Sequence, residues 1–468
     1  MSLAVLAGIS VPVQSSPTES PVVGHWEGKI TLGAIEMRMG LTLKADAEGK
    51  LSGTMISVDQ GNAAMEIPKA TFKDSLLKFS IPKVGASYTG KLNEQGTELA
   101  GDFMQGLMKM PLTLKKVKSL TKLNRPQEPK PPFPYTSEDV TYDNTKANIK
   151  LAGTLTLPKG SGPFPVVLFI SGSGPQDRDE SLLGHKPFLV LADYLTRKGI
   201  AVLRVDDRGT AKSKGDFASA SSFDFAEDVK AGVQYLRSRK EINPHRIGLL
   251  GHSEGGLIAP MVASELGDIA FIVLLAGPGL PGEDILYLQG KLIAQVEGAK
   301  PEQVAFNEGV QKKLFAIVKA EPASSQVVKK LQQALKEEIH KLPEDVKNEL
   351  AKKGTLSQAE LQLASFAKPW FKTFIEYDPR PALAKVKCPV LAINGELDLQ
   401  VPYKENLEAI RHALENAGNH QHVIKAFPQL NHLFQTCKTG SPTEYGKIEE
   451  TMSPEVLEFI AKWIISVK

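Results

Sequence analysis

The run Gly251-His252-Ser253-Glu254-Gly255-Gly256 sets one serine among glycines, after the apolar stretch Ile247-Gly248-Leu249-Leu250 and before Leu257-Ile258-Ala259-Pro260. A G-x-S-x-G run at the end of a strand and the start of a helix is expected to make a tight turn with the serine hydroxyl exposed at its tip. Gly251 and Gly255 have no Cβ to obstruct that turn. Ser253 is therefore the candidate nucleophile. The N–H of Glu254, at the helix N-terminus, faces the same space and is one candidate donor to a developing oxyanion. The Glu254 carboxylate suggests no role at this level.

A serine hydroxyl is a weak nucleophile and needs a base, which in turn needs an orienting acid. His252 is adjacent, but neighbouring side chains on such a turn diverge, and it reads as structural. For this strand-turn-helix context the order along the chain is serine, acid, histidine. Of the nine histidines, His412, His420, His422 and His432 lie far enough along. His412 falls mid-helix, and His420 and His422 precede a strand, at the sheet edge away from the serine. His432 follows the last expected strand, in "FPQLNHLF", where the neighbouring apolar pair anchors its loop. The acid is expected at another strand end, and "VLAINGELDLQVP" offers Asp398, with Glu396 as its competitor and Asp284 a distant third. The spacings are 145 residues from Ser253 to Asp398 and 34 from Asp398 to His432. The second oxyanion donor is expected in the loop after an earlier strand, "ISGSGPQDRDE", with the Ser173 N–H first and Gly174 next.

These residues need a scaffold that returns distant strand ends to one edge. Between residues 137 and 279, buried apolar runs such as "PVVLFISGSG" (165–174), "IAVLRVDDRG" (200–209), "RIGLLGHS" (246–253) and "IAFIVLLAGPG" (269–279) alternate with helix-like stretches. That is the pattern of an α/β domain with a mostly parallel sheet. The pattern resumes over 377–468. Residues 280–376 interrupt it with charged, helical sequence that lacks strands, and read as a helical cap. Ahead of these lie short alternating runs over 21–118, seven or eight strands of a small barrel or sandwich, and then a proline-rich linker over 119–136. The opening "GHWEG" resembles the start of lipocalin-like barrels, although a first-strand Trp is more often core. His25 reads as structural.

With these residues assembled, the chain resembles the α/β-hydrolase superfamily, and within it the bacterial serine carboxylesterases that carry an N-terminal β-domain. The motifs are "GSGPQDRD" (172–179), "DDRG" (206–209), "GHSEGG" (251–256), "NGELDLQVP" (394–402) and "NHLFQ" (431–435). The resemblance implies hydrolysis of short-chain carboxylic esters, a small-molecule substrate, an acyl-enzyme, and neither metal nor organic cofactor. A peptidase, an aminopeptidase-like enzyme or an acyl thioester hydrolase on the same fold remains the alternative, and a non-catalytic binding protein a further one. Gln176, Asp177, Arg178, Asp207 and Arg208 read as braces of the loops. Gly174, Gln176, Trp370 and Phe371 are candidates for the substrate pocket, with Phe374 beside them, although the aromatics can equally core the cap.

Composition narrows the classes. A net charge of +3, with no clustered basic block, argues against nucleic acid as a partner. Cys388 and Cys437 are too few for a disulfide scaffold or a cysteine zinc site, and are expected to be free, buried thiols. No stretch reaches the length of a membrane span. Leu3 to Val13, followed by Ser, Pro and Thr, resembles the tail of a secretory signal peptide without its basic start. Residues 1–20 are thus expected to be a signal remnant or a frayed segment. Export is the corresponding expectation, with a cytoplasmic location as the alternative.

Overall fold

The computed structural model describes residues 20–32, 35–58, 64–106, 108–121, 123–321, 325–352 and 363–467. The expected signal-like segment therefore lies, apart from Ser20, outside the described residues. Two compact units separate along the chain, one reaching Lys122 and the other beginning at Leu123.

The first unit is a closed antiparallel barrel of eight strands, from β1 (Gly24–Leu32) to β8 (Met108–Val117). Its strands alternate: Leu77, Phe79 and Ile81 turn inward while their neighbours face out, the period of two that a strand imposes. The inward side chains form one packed cluster that contains Trp26, Phe79, Tyr88 and Phe103. The polar tips of the aromatics are satisfied inside it. Trp26 Nε1 donates to Val22 O at 2.8 Å, and Tyr88 Oη donates to Leu99 O at 3.0 Å. Trp26 is thus a core residue. His25 meets the Thr42 hydroxyl at 3.0 Å.

The second unit is built on an eight-stranded sheet. Its strands are β9 (Thr136–Asn144), β10 (Ile149–Leu157), β11 (Phe164–Ile170), β12 (Ala201–Val205), β13 (Ile242–His252), β14 (Phe271–Leu275), β15 (Val390–Gly395) and β16 (His422–Phe427). Across the sheet the order is β16-β15-β14-β13-β11-β12-β10-β9. The six strands from β16 to β12 in this order pair in parallel, while β10 pairs antiparallel with β9 and β12. This is the α/β-hydrolase arrangement. The central strands β11 and β14 are apolar throughout, and β15 is so up to Asn394, as suits strands covered on both faces. One face is covered by α2 (Ser222–Arg237) and α3 (Glu254–Leu266), the other by α1 (Pro187–Arg197) and the final helix Pro454–Ser466.

From β11 the chain moves to β12 on one side and then returns to β13 on the other. Such a reversal opens a crevice beyond the carboxyl ends of the strands. The register keeps those ends level: Ile170 faces Gly251, His252 faces Leu275, and Gly395 faces Phe427. Between β14 and β15 the described residues of the insertion form a series of helices, from Gly282–Val296 to Pro369–Glu376. Both cysteines are free, as expected, but only partly buried rather than enclosed. Among the described residues no helix is long and apolar enough to cross a membrane.

Candidate active site

Ser253 sits between β13 and α3 with φ +52°, a left-handed conformation uncommon for a residue with a side chain. Its own N–H still continues the sheet, donating to Leu275 O at 2.9 Å. The turn that follows is so sharp that a Cβ on Gly251 would lie 1.9 Å from the Gly255 carbonyl oxygen, and one on Gly255 would lie 2.1 Å from that of Ile170. The two glycines are thus required by close backbone approach, and the backbone strain is stored at Ser253 itself.

His432 lies in the loop after β16, tied down on both sides. Asn431 Oδ1 accepts the N–H groups of Leu433 and Gln435 at 3.0 Å each. Phe434 is fully buried in the core beneath the sheet. His432 Nδ1 meets Asp398 Oδ2 at 2.8 Å, and both residues are buried. The other carboxylate oxygen of Asp398 accepts the N–H of Gln400 at 2.8 Å and of Val401 at 2.9 Å. The competing candidates lie elsewhere: Glu396 and Asp284 are exposed, as are His412 and His420. His422, at the opposite strand end, bonds Asn419 O.

Ser253 and His432 line one cavity of about 280 Å³ together with Ser173, Gln176, His252, Trp370 and Phe374. Ser173 N–H makes no hydrogen bond to another described residue, whereas Gly172 N–H is taken up by Glu180 Oε1 at 2.7 Å. Of the pocket candidates, Gln176 and Trp370 line the cavity, but Gly174 and Phe371 do not. For Phe371 the cause is helical geometry. Trp370 and Phe374 stand four positions apart on the helix Pro369–Glu376 and stack at 5.4 Å, so they share a face. Phe371 points about 100° away, into the cap, where it stacks on Phe366 at 4.3 Å.

The loop after β11 is braced by carboxylates, as expected for this segment. Arg178 pairs with Asp206 at 2.7 Å, and Arg208 with Asp228 at 2.7 Å. Among the described residues Asp207 makes no ion pair, unlike the pairs expected of this segment. It accepts from the Ser171 hydroxyl at 2.7 Å and Gln176 N–H at 2.9 Å. Burial pushes its carboxyl up, and the neighbouring Glu254 and Glu180 add to that. Asp177 holds the N–H groups of Asp179 and Ser181.

Two acids gain a setting that the sequence reading lacked. The Glu254 carboxylate, 2% exposed, accepts from Ser222 Oγ at 2.6 Å and Trp370 Nε1 at 2.8 Å. Burial raises its pKa, against the pull of those donors and the Ser173 hydroxyl. It therefore ties the cap helix to the residue after the serine. Glu180, at the end of "GSGPQDRDE", meets His252 Nδ1 at 2.9 Å. Burial alone would lower the His252 pKa, but Glu180, the His432 carbonyl and Asp398 together raise it overall. A signal for Glu180 was available, an acid in the glycine-bearing loop beyond β11. For Glu254 there was none, because its indole partner is 116 residues away.

Comparison with known proteins places these features in context. The profile of the family described as X-Pro dipeptidyl-peptidase (S15 family) matches residues 147–427. Esterase EstD of Thermotoga maritima is 28% identical over 335 residues, 71% of this chain and 68% of that protein. A mitochondrial acyl-coenzyme A thioesterase 2 of Mus musculus is 35% identical over 130 residues. The chain spans only 25% of that protein's length. A solved esterase of Pyrococcus furiosus overlaps with a TM-score of 0.42 at 19% identity, covering 74% of this chain and 99% of that one.

Proposed function

This chain belongs to the X-Pro dipeptidyl-peptidase (S15) family, and from that premise we propose that it hydrolyses short-chain carboxylic esters through a covalent acyl-serine. The observation that carries the reading is the buried His432–Asp398 contact of 2.8 Å, opening on the same cavity as the strained Ser253. In the reaction, Ser253 Oγ attacks the ester carbonyl while His432 Nε2 takes its proton. Asp398 holds the Nδ1 proton and stabilises the imidazolium. The N–H groups of Glu254 and Ser173 receive the oxyanion, each worth roughly 3 kcal/mol of barrier. His432 then protonates the departing alcohol, and water repeats the sequence on the acyl-enzyme.

The cavity of about 280 Å³ lies at the lower end of ligand pockets, which run from about 300 to 1,000 Å³, and this favours a small acyl group. EstD, named an esterase, supports the same chemistry. The family description favours a second reading, cleavage of a peptide after proline. That reaction calls for a group to receive a substrate ammonium. The one carboxylate among the described residues lining the cavity, Glu180, is already engaged by Gly172 N–H and His252. The test is a comparison of p-nitrophenyl acetate with aminoacyl- and prolyl-nitroanilides on the purified protein. Turnover of the ester at least a hundredfold more efficient than of any nitroanilide is expected; the reverse order would replace the ester reading by the peptidase one.

A further inference from the structure

His252 precedes the nucleophile candidate, and its ring is held at both nitrogens. Nδ1 lies 2.9 Å from Glu180 Oε1, and Nε2 lies 3.0 Å from the backbone carbonyl oxygen of His432. The carbonyl can only accept, so Nε2 carries a hydrogen. Glu180 Oε1 already accepts Gly172 N–H at 2.7 Å, and as a carboxylate it too can only accept. A neutral imidazole has one N–H and can serve one of these two acceptors. An imidazolium serves both. Burial sharpens the requirement: His252 is 7% exposed and Glu180 4%, so an unmatched polar atom there is costly.

We propose that Glu180 keeps His252 doubly protonated, and that this charged pair is the positioning clamp of the active site. Three chain segments meet at it. His252 belongs to the strand that carries Ser253. Through Nε2 it grips the main chain of His432, whose ring lies 4.8 Å away, centroid to centroid. Through Glu180 it fixes Gly172, next to the oxyanion donor Ser173. The titratable groups that face the pair are His432 and Asp398 on one side and Asp207 on the other. His252 and Glu180 act through other residues and do not touch the reacting atoms. The clamp rests on the reading of His432 as the base, but the protonation state of His252 can be measured without it.

The test uses the full chain labelled with ¹⁵N-histidine, the His252 signal being assigned by its loss in His252→Gln. Both ring nitrogens are expected to be protonated in the wild type throughout pH 6 to 9. Glu180→Gln removes the charge that holds the second proton, and there the ring is expected to become neutral. In the same variant kcat for p-nitrophenyl acetate is expected to fall by about 10- to 100-fold, as for small misplacements of reacting groups, with KM changed less than about twofold. Glu180→Asp, which restores the charge, is expected to recover part of the loss and the imidazolium signal. A singly protonated His252 in the wild type overturns the proposal, as does an unaltered kcat in a folded Glu180→Gln. If Glu180→Gln does not fold, the wild-type spectrum and Glu180→Asp decide. A fluorophosphonate probe read on the same samples separates this from the hydrolase reading: no labelling of wild-type Ser253 refutes that reading, whatever the protonation of His252.

Discussion

Replacing Asp398 by Asn changes one atom, and the structure dictates how. The two oxygens of Asp398 are not equivalent. One accepts the N–H groups of Gln400 and Val401, at 2.8 and 2.9 Å, and the other faces His432 Nδ1 at 2.8 Å. An asparagine that keeps both backbone bonds must put its oxygen on the first site and its NH₂ against Nδ1. His432 then presents a lone pair at Nδ1 and carries its hydrogen on Nε2, where the Ser253 proton has to go. That wrong tautomer costs about 10⁴ in kcat in a comparable triad, or about 5 kcal/mol. The amide can instead turn over, restoring the tautomer and leaving two backbone N–H groups against an NH₂, at about 1–3 kcal/mol each. The cheaper route sets the outcome, so a cost of about 2–5 kcal/mol is expected, a loss of kcat between about 30-fold and 10⁴-fold. KM should stay near its wild-type value, because binding does not depend on the tautomer. The assay is initial-rate hydrolysis of p-nitrophenyl acetate at pH 8, with folding checked by thermal melting. A folded Asp398→Asn within tenfold of wild type would refute this assignment of the acid.

Three further outcomes follow from the same geometry. Gly255→Ala would force a Cβ to within 2.1 Å of the Ile170 carbonyl oxygen, so its urea midpoint should drop well below wild type; an unchanged midpoint would mean that the turn has room to spare. Glu254 bears on stability through pH. Its raised pKa means that the native state keeps a proton the unfolded chain has lost, so stability should fall as pH rises above the ordinary carboxylate range. Glu254→Gln removes that contribution while keeping an acceptor for Ser222 and Trp370, and its melting temperature should decline less between pH 5 and pH 8; equal declines would count against a buried, proton-holding carboxyl. Trp370→Ala removes a wall of the cavity, and the ratio of kcat/KM for octanoate over acetate esters should rise about tenfold; no change in the ratio would place the acyl group elsewhere.

The sequence reading reached furthest where chemistry and topology constrain the same residues. The glycines of "GHSEGG" are there because the backbone leaves no room for a Cβ, a local fact visible in a local motif. The contact between Asp398 and His432 was legible because parallel strands bring their carboxyl ends to one edge, so that order along the chain carries spatial information. The helical insertion and the barrel followed from periodicity. What escaped depends on rotation and on distant partners. The aromatic cluster Trp370, Phe371 and Phe374 gives no sign of which ring faces the cavity until the helix is docked, and Phe371 turned into the cap. The Glu254 carboxylate is explained by Ser222, Trp370 and Ser173, which no spacing rule links to it. The cysteines were expected to be buried on residue type alone, whereas Cys437 lies in a surface-lying loop and Cys388 at the entry to β15, both only partly covered.

The central claim is that Ser253 is the nucleophile, and covalent labelling tests it most directly. The wild-type protein is treated with a fluorophosphonate probe, digested and mapped by mass spectrometry, alongside Ser253→Ala. One adduct per chain is expected, on the peptide that contains Ser253, with no adduct in the variant and a kcat lower by about 10⁶. An adduct on another residue, or a Ser253→Ala protein that still hydrolyses p-nitrophenyl acetate at half the wild-type rate, would contradict it.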